Sequence, residues 1–103
     1  MALPDFRDHK ITRAQGLALT QRQQAATPGA ERGGMFHAQP VRELLAQKGC
    51  VGVRIYHGRN ADGSPAMVLY GVDGKGNDLT GGVVLELHYP CPPYCSDPET
   101  GSG

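Results

Sequence analysis

Cys50-Val51-Gly52-Val53-Arg54-Ile55-Tyr56-His57 is the stretch that decides the fold. Val51, Val53 and Ile55 alternate with Cys50, Gly52, Arg54 and Tyr56, the two-residue period of a strand with one face toward a core. Gly58-Arg59-Asn60-Ala61-Asp62-Gly63 follows at once and carries the Asp-Gly pair of a turn. A second strand is expected over 66–72, and Asp73-Gly74-Lys75-Gly76-Asn77-Asp78 supplies a second turn. A third strand is expected over 82–89, with Val83, Leu85, Leu87 and Tyr89 on one face. Connections this short join antiparallel neighbours, because a parallel crossover needs about a dozen residues or more. The pattern is a three-stranded antiparallel meander.

Upstream, 39–48 reads as a helix. Val41, Leu44 and Leu45 share a face, Pro40 suits a first turn, and Gly49 suits the left-handed residue past the end. With Val51, Val53 and Ile55, the two leucines form the expected core. A second helix is expected over 11–26. Thr12 and Gln15 have capping-box spacing, and Pro28-Gly29 ends the run. Its apolar stripe is thin and mostly alanine. The fold class is therefore α+β: two helices, then the meander, then a Pro/Cys-rich tail. The expected segments are 1–38 (arm, helix and Gly-rich linker), 39–96 (helix, meander and tail) and 97–103 (a polar end).

Composition narrows the function. The chain has 103 residues, with ten basic and ten acidic side chains and no tryptophan. A net charge of zero lacks the basic footprint of a nucleic-acid binder, so no nucleic-acid partner is expected. No stretch approaches the ~18 apolar residues of a membrane span, and the first residues lack the apolar run of a signal peptide. The expectation is a cytoplasmic protein with no membrane partner. Hydrophobic residues are only 39% of the chain, below the usual range of about 45–50%. Contacts with further copies would supplement so small a core.

Chemistry, if present, centres on the three cysteines. Cys91-Pro92-Pro93-Tyr94-Cys95 follows His88 closely, and Cys50 opens the first strand. Three thiolates and an imidazole are a zinc ligand set, so Cys50, Cys91, Cys95 and His88 are the candidate metal residues. The same cysteines also fit free or packed thiols, or a disulfide between Cys91 and Cys95. The 73–78 loop departs from a calcium loop, since Lys75 stands at a ligand position and Val84 where a bidentate Glu belongs. Phosphate-binding, dinucleotide-binding and nucleophile-elbow motifs are all missing. Glu86 is expected to pair with Arg54 on the polar face of the sheet.

The pieces Gly49-Cys50-Val51-Gly52-Val53-Arg54-Ile55-Tyr56, Met67-Val68-Leu69-Tyr70-Gly71-Val72-Asp73, Gly76-Asn77-Asp78-Leu79 and Cys91-Pro92-Pro93-Tyr94-Cys95, in that order, resemble a group of small uncharacterised bacterial proteins. The resemblance covers about residues 35–96. It implies a bacterial, intracellular origin and carries no functional residue across.

The functional expectation is a non-catalytic self-assembly or protein-interaction module, most simply a homo-oligomer. Ala14, Leu17 and Ala18 on the thin helix, Met35 and Phe36 in the linker, and Tyr94 in the tail are its expected interface residues. The alternative is a small thiol or metal protein using Cys50, Cys91 and Cys95.

Overall fold

A computed structural model describes residues 2–97, so the expected polar end lies outside the described residues apart from Asp97. In chain order the elements are α1 (Arg13–Ala26), β1 (Gly33–Met35), α2 (Ala38–Leu45), β2 (Cys50–Arg59), β3 (Pro65–Asp73), β4 (Val84–Leu85) and β5 (Tyr89–Cys91). The class is α+β, with two helices and a three-stranded antiparallel sheet in the order β2-β3-β4. The chain divides into two compact units, and the division differs from the expected segments. One contains Phe36–His88, and the other contains Phe6–Met35 with the chain from Tyr89.

In the first unit, β2 and β3 form a long hairpin. Arg54 lies opposite Tyr70 and Ile55 opposite Leu69, and a bulge between Cys50 and Gly52 interrupts an otherwise regular register. Gly63 and Gly76, both at φ 90°, take the left-handed positions that the two turns require. Helix α2 closes at Ala46, short of the expected end at 48, so Gly49, at φ 80°, takes its left-handed conformation in the turn that leads into β2 rather than at the helix end.

The third strand is much shorter than its apolar alternation suggests. Only Val84 and Leu85 pair with β3, opposite Tyr70 and Leu69. Leu87 turns into the left-handed region at φ 68° with its side chain 93% exposed. The Met67 N–H, which a longer β4 would receive, instead donates to Glu86 Oε2 at 2.5 Å. A carboxylate thus substitutes for the missing ladder bond, as a buried backbone donor demands.

The core also differs from the expected one. Among the described residues Leu44 is fully buried, and Ala66, Leu69 and Val72 of β3 are the other buried apolar side chains. Leu45, Val51, Val53 and Ile55 are all exposed. The physical reason is helix length. Eight residues of α2 span roughly 12 Å, whereas ten residues of β2 span roughly 33 Å. Gln47, just past the helix, lies over the middle strand at Gly71. A Cβ on Gly71 would meet Gln47 Nε2 at 2.8 Å, Cys50 Sγ at 3.0 Å and Leu79 Cδ1 at 3.3 Å. Gln47 secures this docking, accepting from the Val83 N–H at 2.8 Å and donating to the Leu44 carbonyl at 2.8 Å.

In the second unit, the linker and the tail pair with each other, which the sequence pattern did not indicate. β1 runs antiparallel to β5, with Gly33 opposite Cys91, Gly34 opposite Pro90 and Met35 opposite Tyr89. Proline is tolerated there because a two-stranded ribbon has only edges. Helix α1 has the expected capping box, with the Gln15 N–H donating to Thr12 Oγ1 and the Thr12 N–H to Gln15 Oε1. None of its residues is buried.

Candidate interaction surface

Strand β2 is an edge. Among the described residues no strand pairs with its outer side, and the local hydrogen bonds establish which backbone groups point there. The N–H of Leu79 donates to the Gly71 carbonyl, and the N–H of Asp73 donates to the Asn77 carbonyl. The N–H of Met67 turns to Glu86. Odd-numbered residues of β3 therefore direct their backbone groups away from β2. Backbone groups alternate sides along a strand, so even-numbered residues of β3 bond to even-numbered residues of β2. Val53, Ile55 and His57 are left with their amides and carbonyls facing outward.

The side chains above this edge are apolar. Val53 and Ile55 are 44% and 52% exposed, on the same sheet face as Gly71 and Leu69, which lie opposite them. Val51, beside the bulge, is 62% exposed. A long strand with a free edge and exposed β-branched side chains readily templates pairing with another chain. Natural edges are usually blunted by proline, an inward charge or a mid-strand bulge. Gly52 to Arg59 has no proline and no bulge.

The other face of β2 carries a polar cluster. Arg54 Nη1 donates to Asp78 Oδ1 at 2.6 Å and to the Gly76 carbonyl at 3.1 Å. The Tyr56 hydroxyl donates to Asp78 Oδ2, and the Tyr56 ring meets Tyr70 edge-on with centroids 5.6 Å apart. The Tyr56 hydroxyl bond, followed by the Arg54 interactions, holds the Asp78 carboxyl below its ordinary range despite opposing desolvation. The bond to Asp78 raises Tyr56, with burial adding to the effect. Asp78 likewise raises Arg54. The expected Glu86–Arg54 pair is not formed. Arg54 goes to Asp78, and Glu86 lies 2.7 Å from His88 Nδ1 through Oε1. Burial pushes Glu86 up, but bonds from the His88 ring, the His88 N–H and the Met67 N–H outweigh it and leave the carboxyl lowered. The Asp78 partner is not legible in the sequence, because it lies 24 positions from Arg54 and only the fold brings the turn back to β2.

The expected site residues fall in several places. Cys91 and Cys95 are joined in a disulfide, and Cys50 is a free, half-buried thiol donating to the Gly52 carbonyl at 3.2 Å. His88 belongs to the Glu86 pair, and its ring lies 6.2 Å from that of Phe36. Among the described residues no three His, Cys, Asp or Glu side chains gather as a metal site, and a bridged Cys91 and Cys95 offer no thiolates for zinc. Of the expected interface residues, Ala14 and Ala18 are exposed on α1, and Leu17 is half-buried. Met35 and Tyr94 are exposed, and Tyr94 lies edge-on to Tyr89 with centroids 5.3 Å apart. Val51, Val53 and Ile55 lie outside the expected set, because alternation alone indicates a shared face and not whether that face is covered.

Comparison with family models, curated proteins and solved structures found no match to this chain. No helix among the described residues is long and apolar enough to cross a membrane.

Proposed function

We propose that this chain is a non-catalytic self-assembly or protein-interaction module. The observation that carries this reading is the outer edge of β2, which joins unpaired backbone groups to an exposed row of Val51, Val53 and Ile55. Exposed apolar side chains are ordinary when scattered, but a contiguous row beside an open edge marks an interaction surface. The reading keeps the cytoplasm as the location and a bacterium as the source. It excludes nucleic acid, on the zero net charge.

Size-exclusion chromatography with light scattering tests it. The expected result is a mass above the 10.9 kDa of one chain, falling toward that value on dilution. A single-chain mass at every concentration, with no protein partner recovered in cross-linking from its native cells, overturns the reading.

The Cys91–Cys95 bridge favours a second reading, a small thiol protein that cycles between dithiol and disulfide. Disulfides persist in oxidising compartments and are opened in the cytosol. Thiol titration of protein quenched in acid directly from cells decides it. A mixture of reduced and oxidised Cys91–Cys95 supports cycling, and a uniform state rules it out.

A further inference from the structure

The assembly reading leaves open what covers β2, and the strand's own sequence supplies an answer that rests on that reading. We infer that the occupant is β2 of a second copy, running antiparallel about a two-fold axis through Ile55, so that two three-stranded sheets join into one of six strands.

The outward backbone groups belong to odd-numbered residues, so a symmetric antiparallel pair must match odd with odd. Three registers use most of the regular stretch from Gly52 to Arg59, with the axis at residue 54, 55 or 56. The first sets Arg54 directly against Arg54 of the partner subunit in a non-hydrogen-bonded pair. Cα atoms there are only about 4.5 Å apart, and opposed like charges destabilise. The third sets Ile55 against the partner's His57 and Val53 against the partner's Arg59, matching both exposed apolar side chains with polar ones.

The register centred on Ile55 avoids the like-charge pair and sets only one of the two, Val53, against a polar side chain, the partner's His57. Ile55 meets the partner's Ile55 on the axis, with Val53 of each copy diagonal to it, so the two isoleucines and two valines gather about the axis. On the opposite face Arg54 lies across from the partner's Tyr56, and Tyr56 across from the partner's Arg54. Both contacts set a guanidinium beside an aromatic ring. Gly52 lies across from the partner's Gly58, where neither side chain obstructs approach. The outward N–H and carbonyl of Val53, Ile55 and His57 all find partners. Pairing of this kind follows β-strand addition, in which main-chain bonds give affinity and alternate side chains give register.

Disulfide trapping tests the register with exposed positions only. In a Cys50→Ser background, which keeps a donor for the Gly52 carbonyl, V53C, I55C and H57C are prepared singly and oxidised alone and in pairwise mixtures. Hydrogen-bonded pairs have Cα atoms about 5.5 Å apart, within the span of a disulfide. The expected result is rapid dimer from I55C alone and from V53C mixed with H57C. Dimer chiefly from V53C mixed with I55C moves the axis to residue 54, and dimer chiefly from I55C mixed with H57C moves it to 56. Either outcome overturns the proposed register while leaving assembly through β2 intact. If light scattering shows oligomers and no combination cross-links, assembly stands and β2 is not its seam. A single-chain mass without any cross-link overturns both. Circular dichroism of each variant, matched to the parent, keeps a folding failure from being read as any of these.

Discussion

Asp78 is bound on both carboxylate oxygens by β2, to Arg54 through Oδ1 at 2.6 Å and to the Tyr56 hydroxyl through Oδ2. The residue sits 24 positions from Arg54 in sequence, so this cluster closes the second turn back onto the first strand. It also gives the sheet two pH limits. The Asp78 carboxyl is lowered on folding, so its contribution is present above the ordinary carboxylate range and is lost as pH falls through its folded value. Tyr56 is raised, so its contribution is present below the ordinary phenol range near 10 and is lost as pH rises through its folded value. Urea unfolding across pH should show a plateau that falls on both the acid and the alkaline side. D78N should flatten both falls, because the charge that creates each shift is gone. Unchanged limbs in D78N would mean the cluster does not set them.

Gly71 is a buried position with no room for a side chain. Its missing side chain is occupied by Gln47, Cys50 and Leu79, all within 3.3 Å of where a Cβ would stand. Gly71→Ala should cost about 1–3 kcal/mol in chemical denaturation, the range for overpacking. Gly74→Ala, where a Cβ meets nothing within 4 Å, is the matched control and should stay within about 0.5 kcal/mol.

Leu44 and Leu45 are adjacent in sequence and opposite in role. Leu44 is fully buried and Leu45 is exposed. Leu44→Ala should cost about 2–5 kcal/mol, and Leu45→Ala less than about 1 kcal/mol. Equal losses would show that the helix seats differently on the sheet.

The same pair shows what the sequence could convey. Periodicity identifies residues that share a face, and it placed Leu44 and Leu45 together on α2 and Val53 and Ile55 together on β2. Whether a face is covered depends on the reach of another element, and α2 is too short to cover β2. Local chemistry was legible wherever it stayed local. The Thr12–Gln15 capping box and both turns appear at their expected places. Partners distant in sequence were not legible. The β1–β5 pairing joins Gly33 to Cys91, and the Asp78 cluster joins two separate segments. The third strand failed for a related reason. Leu87 continues the apolar alternation, but the Glu86 carboxylate takes the Met67 amide and ends the ladder there.

The Cys91–Cys95 bridge closes a short loop directly after β5, whose Cys91 carbonyl accepts the Arg32 N–H at 2.5 Å. By loop-closure entropy a loop of this size is worth roughly 2 kcal/mol. Reduction should therefore speed amide exchange in Arg32–Met35 and leave β2 and β3 unchanged, as hydrogen-exchange mass spectrometry would show. Faster exchange throughout the three-stranded sheet would mean that the bridge stabilises more than its own unit.

Ile55 separates a core role from an interface role. A core isoleucine replaced by lysine leaves a charge stranded among apolar neighbours and costs several kcal/mol. At 52% exposure, Ile55 can send the lysine to water, so I55K in dilute solution should change unfolding stability by no more than about 0.5 kcal/mol. At high concentration the variant should differ sharply from the parent. Each edge would carry a charge where the paired strands must meet, and in the two-fold register the new lysines would stand directly opposite each other. The expected result is a single-chain mass by light scattering at concentrations where the parent associates. A large loss of stability in dilute I55K would return Ile55 to the core, and undiminished association would move the seam elsewhere on the protein.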